Sequence, residues 1–527
     1  MSGQVNVNLD RLIRLLEANP DSIDQIRDSS LPLAGSDSQL SPTRTGRLES
    51  NGSQRSEPNE DEFRLSEFAG VQTSPITGAV FSRNSPGYEI GVGIQDNSRS
   101  IERSQSPVGP TQLEMSFANT THLIDLFFSK IQPWLPLLHK PSFYQRYADR
   151  SHRGTFDLQA LPVDEALLLS SLFALSARYS SSGAFPAVPQ AELSDHFAAM
   201  ARDFYGKVRA LTQPTLACLQ GYIMLAFYFY TSGLSTQGWI LIGVCVRYAY
   251  ELDLCDLDDD DCPSTSGLDW IRMEEMRRAW WLVWELDTFG SILCKRPYAV
   301  DRRRMTVMLP MSDEAWFSGN STSSSKLITR PGQSWKSLQG SDNNCNERAW
   351  FLIANFLMSL AHEALSQKDG ISARDKLILE NDISCFKLSL PPCFRISTEP
   401  LAFDAISFAQ SNWIIATNLM LASTSFMMSN LRIRDEDGHN HVQEPKDASM
   451  ASRRWAFEFS RIVSLWSADY IALSHPFLVC STIPIYVPSV QGEASDQQVL
   501  SSSKDLAGLV QSRFAEKWRL GSLARRE

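Results

Sequence analysis

The side chains of this 527-residue chain that come nearest to known chemistry each fall short of it. His362 and Glu363 open the pattern of a zinc-protease helix, where a second histidine four residues on completes the ligand pair. Ser366 stands there, and a hydroxyl does not replace imidazole. Gly91-Val92-Gly93 begins a dinucleotide fingerprint, but Asp96 takes the third glycine's place and its charge would repel a pyrophosphate. Asp256, Asp258 and Asp260 imitate a calcium loop. Asp261 replaces its turn glycine and Gly267 its bidentate glutamate, so Asp258 to Asp261 reads as a solvated loop. His439 and His441, near Asp435, Glu436 and Asp437, offer ligand atoms without a helical or strand frame and read as an interhelical loop. No nucleophile elbow, Walker loop or kinase catalytic loop is present. The expectation is a protein with no catalytic residues, no metal site and no cofactor.

Charged groups inside apolar helices are the residues to watch instead. Arg178, Arg247, Arg278 and Arg296 lie in or beside apolar runs. A buried arginine is costly unless paired, so each needs a carboxylate, a backbone carbonyl or an anionic ligand. Glu251 stands four residues after Arg247 and can pair with it. Asp287 is the evident partner for Arg278 or Arg296. These six groups form either a structural charge network or, with Trp239, Tyr248, Trp281 and Trp284, an effector pocket. Arg302-Arg303-Arg304 and Arg525-Arg526 read as surface charge. His139, next to Lys140-Pro141, reads as a helix cap or hydrogen-bonded core histidine.

The elements that must position these groups are helices. Trp239, Ile242, Gly243, Val246, Ala249 and Tyr250 fall on one helical face, and so do Met276, Ala279, Trp280, Val283, Trp284 and Asp287. The second pattern ends near Lys295-Arg296-Pro297, where proline cannot continue it. Helical patterns are predicted at 121–132, 163–181, 190–211, 214–230, 237–253 and 270–294, then at 348–368, 403–430, 448–471 and 500–519. No alternating strands and no fixed repeat are evident. The predicted fold class is all-α: one large multi-helix domain, its halves 113–316 and 348–490 joined by a flexible loop at 317–347, with a tail helix in 491–527.

Ahead of that domain, residues 28–112 are rich in Ser, Gly, Asn, Gln and charge, the composition of a disordered linker. Phe63, Leu65 and Phe68 among acidic neighbours resemble an activation segment, and four Ser-Pro pairs fit either phosphorylation or an ordinary linker. Within 1–27, Leu9, Leu12, Ile13 and Leu16 form a short amphipathic stripe. It reads as a docking helix or as the remnant of a coiled coil.

Four blocks carry a family resemblance: Phe127–Phe143 with Pro133, Pro136, His139 and Pro141; Leu168–Ser180; Pro214–Tyr228; and Gln237–Pro297 with Gly238-Trp239, Arg247, Arg278, Trp281, Asp287 and Arg296-Pro297. In that order they resemble the regulatory region of fungal-specific transcription factors, which the family joins to an N-terminal binuclear zinc cluster that binds DNA. The resemblance implies a nuclear regulator of a metabolic or secondary-metabolite gene cluster, responsive to a small-molecule effector or a partner protein. The zinc cluster packs six thiolates into about thirty residues. The nine cysteines here begin at Cys218 and no two are separated by only two positions, so that module is absent from this sequence. The scattered cysteines read as reduced and mostly buried. A net charge of −11 also argues against a general polyanion binder. No DNA-binding residues are therefore expected, and DNA would be reached through a DNA-binding partner or a missing zinc cluster. No segment has the pattern of a secretory signal, and no membrane association is expected. The alternative is a scaffold or metabolite-binding protein that keeps the regulatory fold without touching DNA.

Overall fold

The computed structural model describes residues 115–525, apart from breaks at 149–153, 182–184, 186–187, 209–212, 234, 260–267, 322–323, 340–345, 397–400, 435–439, 442–444 and 483–493. The amphipathic stripe, the Ser-Pro pairs and the acidic-aromatic patch of the N-terminal region lie outside the described residues. So do His439 and its acidic neighbours.

The described chain is all-α. Its helices are α1 (Phe117–Leu126), α2 (Lys140–Tyr147), α3 (Val163–Ser176), α4 (Gln190–Val208), α5 (Leu216–Ser232), α6 (Thr236–Glu251) and α7 (Trp270–Cys294), then α8 (Asp313–Phe317), α9 (Glu347–Ser366), α10 (Ala373–Ser389), α11 (Phe408–Met428), α12 (Pro445–Val463), α13 (Ala494–Ala515) and α14 (Arg519–Arg525). The strands are two-residue pairs: β1 (Met115–Ser116) on β2 (Thr155–Phe156), and β4 (Ile433–Arg434) between β3 (Ile371–Ser372) and β5 (Asn440–His441).

Helix starts are fixed by side-chain caps that satisfy otherwise orphaned amides. Thr215 accepts from Cys218 N ahead of α5, Ser235 from Gly238 N ahead of α6, and Asp269 from Arg272 N ahead of α7. His139 caps α2, as its position beside Lys140-Pro141 suggested, and its Nε2 lies 3.2 Å from the Trp316 carbonyl. Helix α7 ends at Lys295, a left-handed residue at φ 51°.

Packing arranges the helices around α7. Helix α3 lies on α4 and α5, α5 and α6 lie on α7, and α9 pairs with α11, which leads on to α12 and α13. From Met276 to Leu293 helix α7 is buried on every side, its charged groups included. The two halves are stitched by single bonds and rings: Trp413 Nε1 donates to the Pro133 carbonyl at 3.1 Å, and Trp518 at the C-terminal end packs edge-on to Trp134. Helix α9 is long and apolar enough by composition to cross a membrane, but most of it is buried against these neighbours.

Three expectations are corrected. Helices α2, α8, α10 and α14 fall outside the predicted patterns. The segment after Phe317, read as a flexible polar gap, packs Leu327, Ser334 and Leu338 into the core. The buried face of α6 is Gly238, Leu241, Ile242, Cys245, Val246 and Ala249, while Trp239 and Tyr250 are half-buried. Contact with both α5 and α7 makes that face wider than a single stripe.

Gly221 marks a close crossing of α3 and α5. A Cβ there would lie 2.8 Å from Leu167 Cγ and 3.1 Å from the Leu168 backbone nitrogen. Because backbone cannot step aside as a side-chain tip does, Gly221→Ala is expected to lower the unfolding free energy by about 1–3 kcal/mol in a urea titration. An unchanged midpoint would mean that α3 and α5 are less tightly packed.

Candidate functional site: a buried charge network and the cleft at its end

Helix α7 carries three sets of charges into the core. Near its start Glu274 accepts from Arg278 Nε at 3.0 Å and from the Met311 amide at 2.8 Å. Arg278, only 1 % exposed, also donates to Asp313 Oδ1 at 2.5 Å, to the Met311 carbonyl at 2.5 Å and to the Pro136 carbonyl at 3.4 Å, and it lies 4.1 Å over the Trp316 ring. Arg277 grips Asp258 through Nε and Nη2, and Asp258 also accepts from the Met308 amide at 2.8 Å. Asp258 is thus a buried ion-pair partner, not part of a solvated loop. One helical turn fastens the acidic loop, the 305–313 segment, α8 and the proline-rich block to α7.

In the middle of α7, Glu285 accepts from Arg348 Nη2 at 2.5 Å, which ties the start of α9 to α7. Burial raises the Glu285 pKa against the pull of Arg348 and lowers that of Arg348. Near the end, Asp287 is fully buried and accepts from the Ala299 amide at 3.0 Å, the Val300 amide at 3.1 Å and Arg302 Nη2 at 3.4 Å. Burial pushes its pKa up, and Arg302 and the two amides oppose the rise. The partner of Asp287 is therefore Arg302, not Arg278 or Arg296.

Arg302, in the segment that follows α7, is less fully answered than Arg277 and Arg278, and in this it resembles Arg348, whose Nε and Nη1 likewise have no hydrogen-bond partner among the described residues. Arg302 is 7 % exposed and sandwiched between the Tyr298 ring at 3.8 Å and the Trp284 ring at 4.5 Å. Its Nε and Nη1 have no hydrogen-bond partner among the described residues. Burial lowers its pKa, so the charge is held at a cost that Asp287 only partly offsets.

Above Arg302 opens a cleft of about 980 Å³. One wall is the 295–303 segment, the other the last turn of α9, and Arg432 closes the end. Gly370 places Arg432: at φ 68° it leads into β3, and the Ile371 amide donates to the Arg432 carbonyl at 3.0 Å. A Cβ at Gly370 would meet that carbonyl at 2.8 Å. Six cations line the cleft, Lys295, Arg296, Arg302, Arg303, Lys368 and Arg432, against the acids Asp301 and Glu363. Tyr298 Oη and His362 Nδ1 are hydrogen-bonded at 3.1 Å. His362, Glu363 and Ser366, which fail as a zinc-protease motif, all sit on this wall.

The other residues singled out from sequence lie elsewhere. Arg178 donates to the Lys517 carbonyl at 3.0 Å and to Ser232 Oγ at 2.7 Å, and lies 5.0 Å from the Trp518 ring, holding the C-terminal helices on α5. Arg247 and Glu251 are exposed, and no ion pair joins them among the described residues. Trp239 and Tyr248 are half-buried, with Tyr248 edge-on to Tyr222 at 4.9 Å. Trp281 and Trp284 are fully buried, and Trp281 Nε1 donates to the Met308 carbonyl at 2.8 Å. Of the six charged groups, Arg296 alone lines the cleft. Arg302, Tyr298, Glu274, Glu285 and Arg348 were missed. For Arg302 a signal existed: Val300 and Arg302 are buried while Asp301 and Arg303 are exposed, an alternation that the run of three arginines obscured.

Fold and site together define an all-helical domain organised by internal ion pairs. Among the described residues no group of three or more metal-ligating side chains is present. Residues 124–435 match the model of the fungal specific transcription factor domain, and the chain belongs to that family. It is 24% identical over 213 residues to the transcription factor tazR of Aspergillus terreus, covering 38% of this chain and 30% of that protein. It is 23% identical over 280 residues to the pigment biosynthesis transcriptional activator pigB of Monascus ruber, covering 51% of this chain and 44% of that one. The chain thus spans less than half the length of either relative. A structure of the K. lactis CBF3 core aligns at 12% identity over 81% of this chain and 87% of that one, with a TM-score of 0.43, too low to bear on function.

The cleft also has a pH signature. Burial, with Arg302 adding to it, lowers the His362 pKa from 6.5 to about 4. The unfolded chain therefore takes up this proton first as the pH falls. The stabilising contribution of neutral His362 is full above pH 6.5 and is lost as the pH falls from there through about 4. His362→Gln keeps a polar partner for Tyr298 and removes the titration. Between pH 7 and 4.5 the variant should lose roughly 1–2 kcal/mol less unfolding free energy than the wild type. Equal losses would place His362 in water.

Proposed function

We propose that this chain is a transcriptional regulator of the fungal type, acting in the nucleus on a metabolic or secondary-metabolite biosynthetic gene cluster. The observation that carries this reading is the family match over residues 124–435, which takes in α7, its ion pairs and every residue lining the cleft. The regulatory roles named for tazR and pigB support it. The domain works without catalysis. An effector or partner protein shifts it between an inhibited and an exposed state, which requires different affinities for the two. Contact with DNA runs through a DNA-binding partner or a zinc cluster carried outside this sequence.

A tethering experiment tests the reading. The whole chain, fused to a heterologous DNA-binding domain, is expected to change a reporter's output several-fold over that domain alone. Deleting the gene should alter the transcripts of a neighbouring gene cluster. A fusion with no effect, together with residence in the cytosol, would overturn the proposal in favour of a scaffold that keeps the fold.

A further inference from the structure

We infer that the cleft above Arg302 is a binding site for a small organic anion, a molecule with a carboxylate or phosphate group on an apolar body. The two buried arginines on α7 are answered from inside the protein, Arg278 by two carboxylates and two carbonyls and Arg277 by Asp258 and Glu274. Arg348 shares with Arg302 an unpartnered Nε and Nη1 but lines neither this cleft nor the one between α10, α11 and α12, whereas Arg302 lines the first. Arg302 has one long contact to Asp287, whose oxygens already accept from two backbone amides. Two of its three guanidinium nitrogens lack a partner, beneath the floor of a cavity large enough for a metabolite.

The rim has the same sign. In a chain of net charge −11, five further cations surround this opening against two acids. Pro297, Val300, Tyr298 and Leu365 supply apolar wall. A buried, under-compensated cation below and a cationic rim above focus positive potential into one concave space, which favours an anion and disfavours a neutral or cationic guest. A second large cleft, about 910 Å³ between α10, α11 and α12, lacks this feature, because the cations in its lining, Lys387, Arg395, Arg454 and Arg461, are all exposed and Lys387 donates to Ser425 Oγ at 2.7 Å. The site stands on its own geometry, and its role as the effector site rests on the regulatory function proposed above.

Isothermal titration of the whole chain with citrate and with inorganic phosphate, at fixed ionic strength, tests the site. Arg302→Met removes the floor charge. The double variant Lys368→Glu with Arg432→Glu reverses two exposed rim charges and leaves the core untouched, so it remains informative if Arg302→Met does not fold. At least one probe should bind at a single site in the wild type, and the rim reversal should weaken it by at least about tenfold. Tighter citrate would assign a carboxylate ligand, and tighter phosphate a phosphorylated one. Failure of both probes to bind, or an affinity unchanged by rim reversal, overturns the site. The reporter fusion separates the two readings. Binding that rim reversal abolishes with no change in reporter output would remove the effector role alone. A working fusion that binds neither probe would remove the site alone.

Discussion

A charge inside a helical core survives only where other groups replace the water it has lost, and the Arg278 guanidinium is where that constraint shapes this protein. Its bonds to Glu274, Asp313 and the carbonyls of Met311 and Pro136 draw two stretches of chain, at 311–313 and at Pro136, onto one turn of α7. Arg277 adds the acidic loop through Asp258. Removing one partner would leave the others buried and unanswered, so these segments are held as a unit rather than as separate contacts. The apolar packing of the first half is built around that fixed point.

The same two helices extend the arrangement to the cleft. Helix α9 starts on α7 through Arg348 and Glu285 and ends as the cleft wall with His362 and Lys368. Helix α7 ends at the opposite wall, and Asp287 pulls the 299–300 amides back against it. An anion drawn toward Arg302 would compete with Asp287 for the same cation. The 295–303 segment, held by Asp287, is the element whose position such a ligand would bias. That is a physical route from occupancy to shape, and it needs no long chain of side chains to carry it.

Where the sequence was legible, the reason was local. Helices α5, α6 and α7 announce themselves by apolar runs of helical spacing, and the breaker at Pro297 marks the end of α7 within a few residues. Helix α10 does not, because it buries only Asp382, Ile383 and Phe386 and otherwise shows water a mixed surface. Helix α2 hides behind Pro141, a residue that reads as a break but here occupies the first turn. The buried arginines were visible as a class, but their partners were not. Glu285 and Arg348 stand 63 residues apart, and no spacing rule joins them. Arg302 was misread because a run of three arginines resembles a solvated face.

Arg278 has its charge satisfied within the protein, and Arg302, with Nε and Nη1 unpartnered among the described residues, does not. The most direct test compares the unfolding free energies of Arg278→Met and Arg302→Met in a buffer free of multivalent anions. Arg278→Met should lose about 3–5 kcal/mol, the cost of leaving the buried Glu274 carboxylate and the carbonyls of Met311 and Pro136 without this donor. Arg302→Met should lose clearly less, since fewer bonds go with it and Asp287 keeps its two amides. Equal losses, or a greater loss at Arg302, would contradict the account by showing that its charge is as well matched as that of Arg278.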